Sequence, residues 1–163
     1  MPVYSEVLSD CEIVDLIGKK YNNILIVGCG ACMNESLSFK YNIPIFIKDK
    51  MGNKIPYAVT QEVIRISRML SSKGYDARTE VFPEGSNSRC MINNTAPKHL
   101  LCLEPKPDAI LALSCPSGVF GMEGVIKDIP IVRITKQKGY LAYTYKENED
   151  GSTIMMIENS KVL

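Results

Sequence analysis

Two short runs of apolar residues constrain the fold more than any other feature of the sequence. Residues 23–28 (NILIVG) and 108–114 (DAILALS) each have the length and composition of a strand that is buried on both faces. Strands of that kind belong to parallel sheets covered by helices. Each run is followed at once by a cysteine, Cys29 or Cys115. The sequence therefore predicts two buried strands whose carboxyl ends carry thiols.

Helical spacing of apolar residues between the strand-like runs indicates an α/β fold. A short helix is expected to begin at a cap formed by Asn34 or Ser36 and to end near Phe39. We also expect helices at residues 10–21, 60–73 and 118–126. Further strands are predicted at residues 44–47, 78–82 and 130–134. This alternation predicts a mainly parallel sheet covered by helices on both faces. At the C-terminal end, residues 140–145 are expected to pair with residues 153–157 as a β-hairpin.

Length and composition limit the class of protein. A chain of 163 residues fits one domain of ordinary size, so residues 1–163 are predicted to form a single α/β domain. A net charge of +1 gives no electrostatic reason to expect a nucleic-acid partner. The first residues lack the pattern of a secretory signal, and no run approaches the roughly 20 apolar residues of a membrane helix. We therefore expect a cytoplasmic protein without membrane insertion, and self-association stays open.

The six cysteines carry the strongest chemical signal in the chain. In a reducing compartment disulfides are disfavoured, so metal, cluster or redox chemistry is the better explanation. Cys29 and Cys32 form a Cys-x-x-Cys motif, in which Gly28 and Gly30 let the backbone approach a bound group closely. Open α/β sheets bind ligands beyond the carboxyl ends of their strands. We therefore predict that Cys29, Cys32 and Cys115 belong to one cofactor site.

A fourth ligand and a second glycine turn complete the predicted site. Cys115 is followed by a Pro-Ser-Gly turn, and Gly118 of that turn is assigned to the residues that contact the cofactor. Cys90 is the predicted fourth ligand. Cys102 is the alternative, because the intervening loop can position either thiol. Four thiolates suit a 4Fe-4S cluster or a zinc ion, and the small residues beside the cysteines favour the cluster.

Other residue patterns are assigned structural roles, with one chemical alternative. Cys11 is expected in the core, on the apolar side of the first helix. His99, the only histidine, is interpreted as a partly buried structural residue. The alternative is a thiol-disulfide protein that uses Cys29 and Cys32, since a Cys-x-x-Cys motif after a strand also suits a redox dithiol.

Three motifs, taken in order, resemble a known family. They are Val-Gly-Cys-Gly-Ala-Cys at residues 27–32, Arg-Cys at 89–90 and Leu-Ser-Cys-Pro-Ser-Gly-Val at 113–119. Their order resembles the amino-terminal domain of the small, cysteine-rich subunit of the two-subunit methylenetetrahydrofolate reductase of anaerobes. The resemblance implies a metal- or cluster-binding partner of a larger flavoprotein, with ligands at Cys29, Cys32, Cys90 and Cys115. It also places Glu35 near an acidic position of the family.

These observations favour a non-catalytic subunit of an oxidoreductase complex. Convergent cysteines without a credible acid, base or substrate pocket suggest an iron-sulfur accessory or electron-transfer subunit, whose partner is a larger redox or flavoprotein subunit. The resemblance implies an anaerobic complex linked to one-carbon metabolism. A zinc-stabilised structural or interaction module is the second hypothesis, and the thiol-disulfide protein is the third.

Overall fold

The computed structural model describes residues 1–82 and 100–163, which form a mixed α/β fold with three sheets. The helices are α1 (Asp10–Ile17), α2 (Cys32–Tyr41), α3 (Tyr57–Ser72) and α4 (Pro116–Val125), with short 3-10 turns at Leu100–Cys102 and Ile157–Asn159. The strands are β1 (Val3–Val7), β2 (Asn23–Cys29), β3 (Phe46–Lys48), β4 (Lys54–Pro56), β5 (Asp76–Phe82), β6 (Ala109–Leu113), β7 (Ile131–Arg133), β8 (Thr135–Ala142), β9 (Tyr145–Glu147), β10 (Thr153–Met155) and β11 (Lys161–Val162).

A parallel sheet with the strand order β5-β2-β6-β7 forms the centre of the fold. The two predicted buried strands, β2 and β6, are neighbours in it, with Gly28 opposite Leu113. After β2 the chain first adds β5 on one side and later returns to add β6 on the other. The strand order therefore reverses between β2 and β6, and in open α/β sheets that reversal is where ligands bind.

Burial explains why β2 and β6 are the most apolar segments. All five residues of β6 are buried, and β2 is buried from Ile24 onward. Because a strand in this position has no face toward water, it keeps apolar residues at consecutive positions instead of alternating them with polar ones. The helices contribute single apolar faces to the same core, as in α1, where Ile13 and Ile17 are buried.

Gly28 is required for the close packing of α3 on β2. A Cβ atom at this position would lie 2.9 Å from Val59 Cγ2 and 2.9 Å from Val63 Cγ1, both on α3. We expect Gly28→Ala to lower the free energy of unfolding by about 1–3 kcal/mol, because the helix must move away from the sheet. Urea denaturation measures the change.

Gly124→Ala is the matched control for this substitution. Gly124 lies in α4 with nothing within 4 Å of a Cβ at its position. There the added methyl group only removes backbone freedom from the unfolded chain, so stability should rise by about 0.5 kcal/mol. Equal effects at the two glycines would contradict the proposed packing of α3.

The other seven described strands form two antiparallel sheets. One has the order β1-β8-β11 and the other β4-β3-β10-β9. A small second core of Tyr4, Ile45, Leu141 and Met155 lies between them, and the α2 side chain Phe39 packs against it. The Phe39 ring meets Tyr4 edge-on, with centroids 5.7 Å apart. The helix α2 thus joins the parallel sheet to the antiparallel ones.

The predicted fold class is confirmed at the level of a mixed α/β protein. The β-hairpin is also present, but it is shorter than expected, since β9 pairs with β10 and residues 140–142 belong to β8. A mainly parallel sheet is not confirmed, because only four of the eleven strands in the described ranges are parallel. No helix in the described ranges has both the length and the apolar character needed to cross a membrane.

Candidate thiol site

Three of the predicted ligands lie at one edge of the parallel sheet. Cys29 is the last residue of β2, Cys32 begins α2, and Cys115 directly precedes α4 after β6. Because β2 and β6 are adjacent and parallel, their carboxyl ends carry all three residues to the point where the strand order reverses. The three cysteines therefore lie at the carboxyl ends of neighbouring parallel strands, as the sequence predicts.

Within this group, the side chains of Cys32 and Cys115 share a hydrogen bond. Cys115 is buried, with 3% of its surface exposed, whereas Cys32 is half-buried. Each begins a helix, so both sulfurs lie at the positive end of a helix dipole. A thiol pair in this setting favours a negative charge on one of its sulfurs.

The negative charge belongs on Cys115. The hydrogen bond from Cys32 is the main reason that the pKa of Cys115 falls to about 6, although burial opposes the shift. The Ser117 and Gly118 amides and the Ser117 hydroxyl, at the start of α4, lower the pKa further. For Cys32, the hydrogen bond to Cys115 and burial raise the pKa, so Cys32 keeps its proton. The pair therefore holds one thiolate and one thiol at neutral pH.

Strand β1 forms one wall beside Cys32. The Val3 amide lies at the Cys32 sulfur and partly offsets the rise in its pKa. The Ser36 hydroxyl on α2 accepts a hydrogen bond of 3.1 Å from the Ser5 amide and lies 2.8 Å from the Cys32 carbonyl oxygen. These contacts fix the first turn of α2 against β1, and with it the position of the thiol.

Strand β8 supports the site from the side of Cys115. The Thr135 hydroxyl donates a hydrogen bond of 2.6 Å to the carbonyl oxygen of buried Ser114, the residue before Cys115. The same strand pairs antiparallel with β1, with Thr135 opposite Val7. One strand therefore holds both the wall beside Cys32 and the turn that carries Cys115.

Cys29 lies at the same edge but is packed into the core. It is 4% exposed, and its neighbour Gly30 continues the ladder to β5 with an N–H to Phe82 carbonyl bond of 2.9 Å. Side chains alternate between faces along a strand, so Cys29 faces away from the side on which Gly28 meets α3. Within residues 1–82 and 100–163, no three His, Cys, Asp or Glu side chains are arranged to hold a metal ion.

The remaining predicted residues have different outcomes. Cys90 and His99 lie outside the described residues. Cys102, the alternative fourth ligand, is exposed in a 3-10 turn. The prediction that Cys11 is a core residue is wrong, because α1 buries Ile13, which lies about 200° around the helix from Cys11.

A cavity of about 200 Å³ next to the thiol site was not predicted. It begins one helical turn beyond Cys32, at Glu35, whose carboxylate accepts a hydrogen bond of 2.5 Å from the Tyr143 hydroxyl. Its other polar or aromatic lining residues are Phe46, Lys54, Tyr145 and Thr153. These residues come from distant parts of the chain and form no motif. The one local signal is the spacing of Tyr143 and Tyr145, which places both rings on one face of an extended segment.

Ultraviolet thiolate absorbance should show a low-pH ionisation from Cys115 in the reduced, metal-free protein. Because the folded pKa of Cys115 is about 6, against an ordinary value of 9.0, its thiolate signal should rise as the pH increases through about 6. Cys32→Ala removes the main stabilising hydrogen bond, so the midpoint should move upward toward 9. Cys102→Ala, at an exposed thiol, should leave it in place. An unchanged midpoint in Cys32→Ala would contradict the shared hydrogen bond.

In comparisons with known proteins, the chain matches no family model, no curated protein and no solved structure.

Proposed function

We propose that this domain is an iron-sulfur subunit that passes electrons to or from a larger redox or flavoprotein subunit. The observation that carries the proposal is the hydrogen-bonded pair of Cys32 and Cys115 where the strand order reverses. Cys29 and Cys90 are the further proposed ligands of a 4Fe-4S cluster. Cys29 lies at the same sheet edge, and Cys90 belongs to the motif set that resembles the small reductase subunit of anaerobes.

The chemistry of the donors fits such a cluster. Metal and cluster ligands must be thiolates, and the low pKa of Cys115 supplies one without added base. The amides at the start of α4 lie at its sulfur, and hydrogen bonds to ligand sulfurs help to set the potential of iron-sulfur sites. When bound, the cluster would supply one-electron transfer. This chain would hold it, shield it from water and fix its charge environment.

A thiol-disulfide function is the second candidate, and the same pair of residues favours it. The Cys115 thiolate would attack a partner disulfide, form a mixed disulfide and release one partner thiolate, which takes the proton of Cys32. Cys32 would then attack the Cys115 sulfur, leaving a Cys32–Cys115 disulfide and a reduced partner. This pairing replaces the predicted pair of Cys29 and Cys32. The burial of Cys115 opposes it, because only 3% of the surface of the attacking residue is exposed.

Elemental analysis of anaerobically purified protein distinguishes the candidates. About four irons and four sulfides per chain, with broad visible absorption, is the result expected for a 4Fe-4S cluster. About one zinc per chain without that absorption would overturn the electron-transfer proposal and support a structural metal site. A metal-free protein that gains a Cys32–Cys115 disulfide on mild oxidation would support the thiol-disulfide function instead.

A further inference from the structure

The cavity beside α2, lined by Glu35, Phe46, Lys54, Tyr143, Tyr145 and Thr153, has the features of a binding site for a small molecule. Its volume of about 200 Å³ is below the roughly 300–1,000 Å³ of sites for drug-sized ligands. Cys32 and Cys115 are not among its lining residues, so its role does not rest on the proposed iron-sulfur function. Its occupant must be small.

Thr153 provides the first sign that the cavity binds a polar group. The residue is 4% exposed, and its Oγ1 atom has no hydrogen-bond partner among the described residues. The backbone of Thr153 pairs with both neighbouring strands of the sheet, and its carbonyl accepts a hydrogen bond of 2.8 Å from the Ile45 amide. Burial of an unpaired hydroxyl is costly, and such a group is usually explained by a partner that binds there.

The charges in the wall define the chemistry of that partner. Glu35 places a carboxylate in the cavity, next to the rings of Tyr143 and Tyr145, whose centroids are 6.4 Å apart. A carboxylate in a cavity that aromatic rings also line is a favourable setting for an ammonium group. Lys54 supplies a positive charge at the same cavity, and it is 3.3 Å from Glu147 at the surface. One wall therefore suits a cation and another suits an anion.

We propose that this cavity binds a small zwitterion of the amino-acid class. Its ammonium group pairs with Glu35 beside the tyrosine rings, and its carboxylate pairs with Lys54 and accepts a hydrogen bond from Thr153. The same arrangement disfavours molecules with only one of the two charges, since one wall would then lose its water without gaining a partner.

Titration of the full, isotope-labelled chain with simple ligands tests the proposal by NMR. The probes are glycine, L-alanine and L-serine at millimolar concentrations, together with ethylamine and propionate, which each carry one charged group of alanine. We expect saturable shifts of the amide signals of Thr153, Tyr143 and Tyr145, and binding of alanine at least about tenfold tighter than of either fragment. No saturable shift with any amino acid, or equal binding of alanine and ethylamine, would overturn the proposal.

Thr153→Val is the sharpest variant, because valine has nearly the shape of threonine without the hydroxyl. It should weaken amino-acid binding about tenfold and also raise Tm, since the unpaired hydroxyl is removed. Thr144→Val, at an exposed position on the preceding segment, should change neither quantity. Wild-type affinity in Thr153→Val would overturn the assignment of Thr153 and with it the proposal.

The Lys54→Met variant tests the proposed binding site even if Thr153→Val, at a buried position, does not fold. Lys54 is exposed, so its replacement should leave Tm unchanged while amino-acid binding weakens about tenfold. Lys50→Met, an exposed lysine outside the cavity, is the control. Iron content measured in the same variants should equal that of the wild type, so failure of this site and failure of the iron-sulfur proposal give different results. Unchanged binding in Lys54→Met would overturn the proposal.

Discussion

Anaerobically purified Cys115→Ser protein should retain almost none of its iron and sulfide, and Cys32→Ser should lose them to the same extent. A serine hydroxyl is far less acidic than a thiol and is a poor ligand for a soft metal site. At Cys115 the change also removes the thiolate that the start of α4 stabilises. Iron and sulfide analysis with visible absorption measures the loss. Cys29→Ser and Cys90→Ser extend the same measurement to the other two proposed ligands.

Two exposed thiols give matched controls for these variants. Cys11 and Cys102 are both exposed, so Cys11→Ser and Cys102→Ser should keep the wild-type content of iron and sulfide. Circular dichroism on all variants separates loss of the cofactor from loss of the fold. Wild-type iron content in folded Cys32→Ser or Cys115→Ser would refute the assignment of this pair as ligands. Loss of iron in Cys102→Ser would instead restore Cys102 as the fourth ligand.

The second large effect is expected at Leu111, at the centre of β6. Leu111 is fully buried between the layers and pairs with Ile26 on one side and Val132 on the other. Leu111→Ala should lower the free energy of unfolding by about 3–5 kcal/mol, because it loses buried apolar surface and leaves a cavity that close-packed neighbours fill poorly. That loss is a large part of the roughly 5–15 kcal/mol that stabilises a typical domain.

The same chemical change on the surface is the control for Leu111. Leu16 in α1 is 49% exposed, so Leu16→Ala should change stability by less than about 1 kcal/mol. Urea denaturation at constant pH compares the two variants with the wild type. A loss below about 1 kcal/mol at Leu111 would show that β6 is not packed as described.

The sequence predicted the central strands well because their signal is local. In β2 and β6 the apolar residues are consecutive, which only burial on both faces explains. The α1 and α3 patterns were clear for a similar reason, since each helix buries one face. For α2 the start was misplaced, because Asn34 suggested a helix cap. Its side chain instead bonds to the Ile45 carbonyl at 2.7 Å and the Val59 amide at 2.9 Å, which are distant in sequence.

The antiparallel sheets and the partner of Cys32 depend on long-range contacts that leave no local pattern. Strand β1 has a mixed sequence, VYSEV, and its pairing strand β8 begins at Thr135, more than a hundred residues later. Similarly, the sequence predicts that the ends of β2 and β6 lie together, but it does not predict which cysteine sulfurs contact each other. Cys32 contacts Cys115 because α2 and α4 begin at adjacent strands, and that arrangement follows from the order of the strands in the sheet.

Because β8 supports both sides of the thiol site, the site can be completed only after β8 has been synthesised. Val3 and Ser5 reach Cys32 and Ser36 from β1, and β1 is held in place by pairing with β8 at residues 135–140. A nascent chain of 130 residues already contains Cys32 and Cys115 but lacks β8, the strand that supports both the wall beside Cys32 and the turn that carries Cys115. Any group that binds the two thiols at that stage would meet a site without its β1–β8 wall, so the enclosed site forms only after β8 has left the exit tunnel.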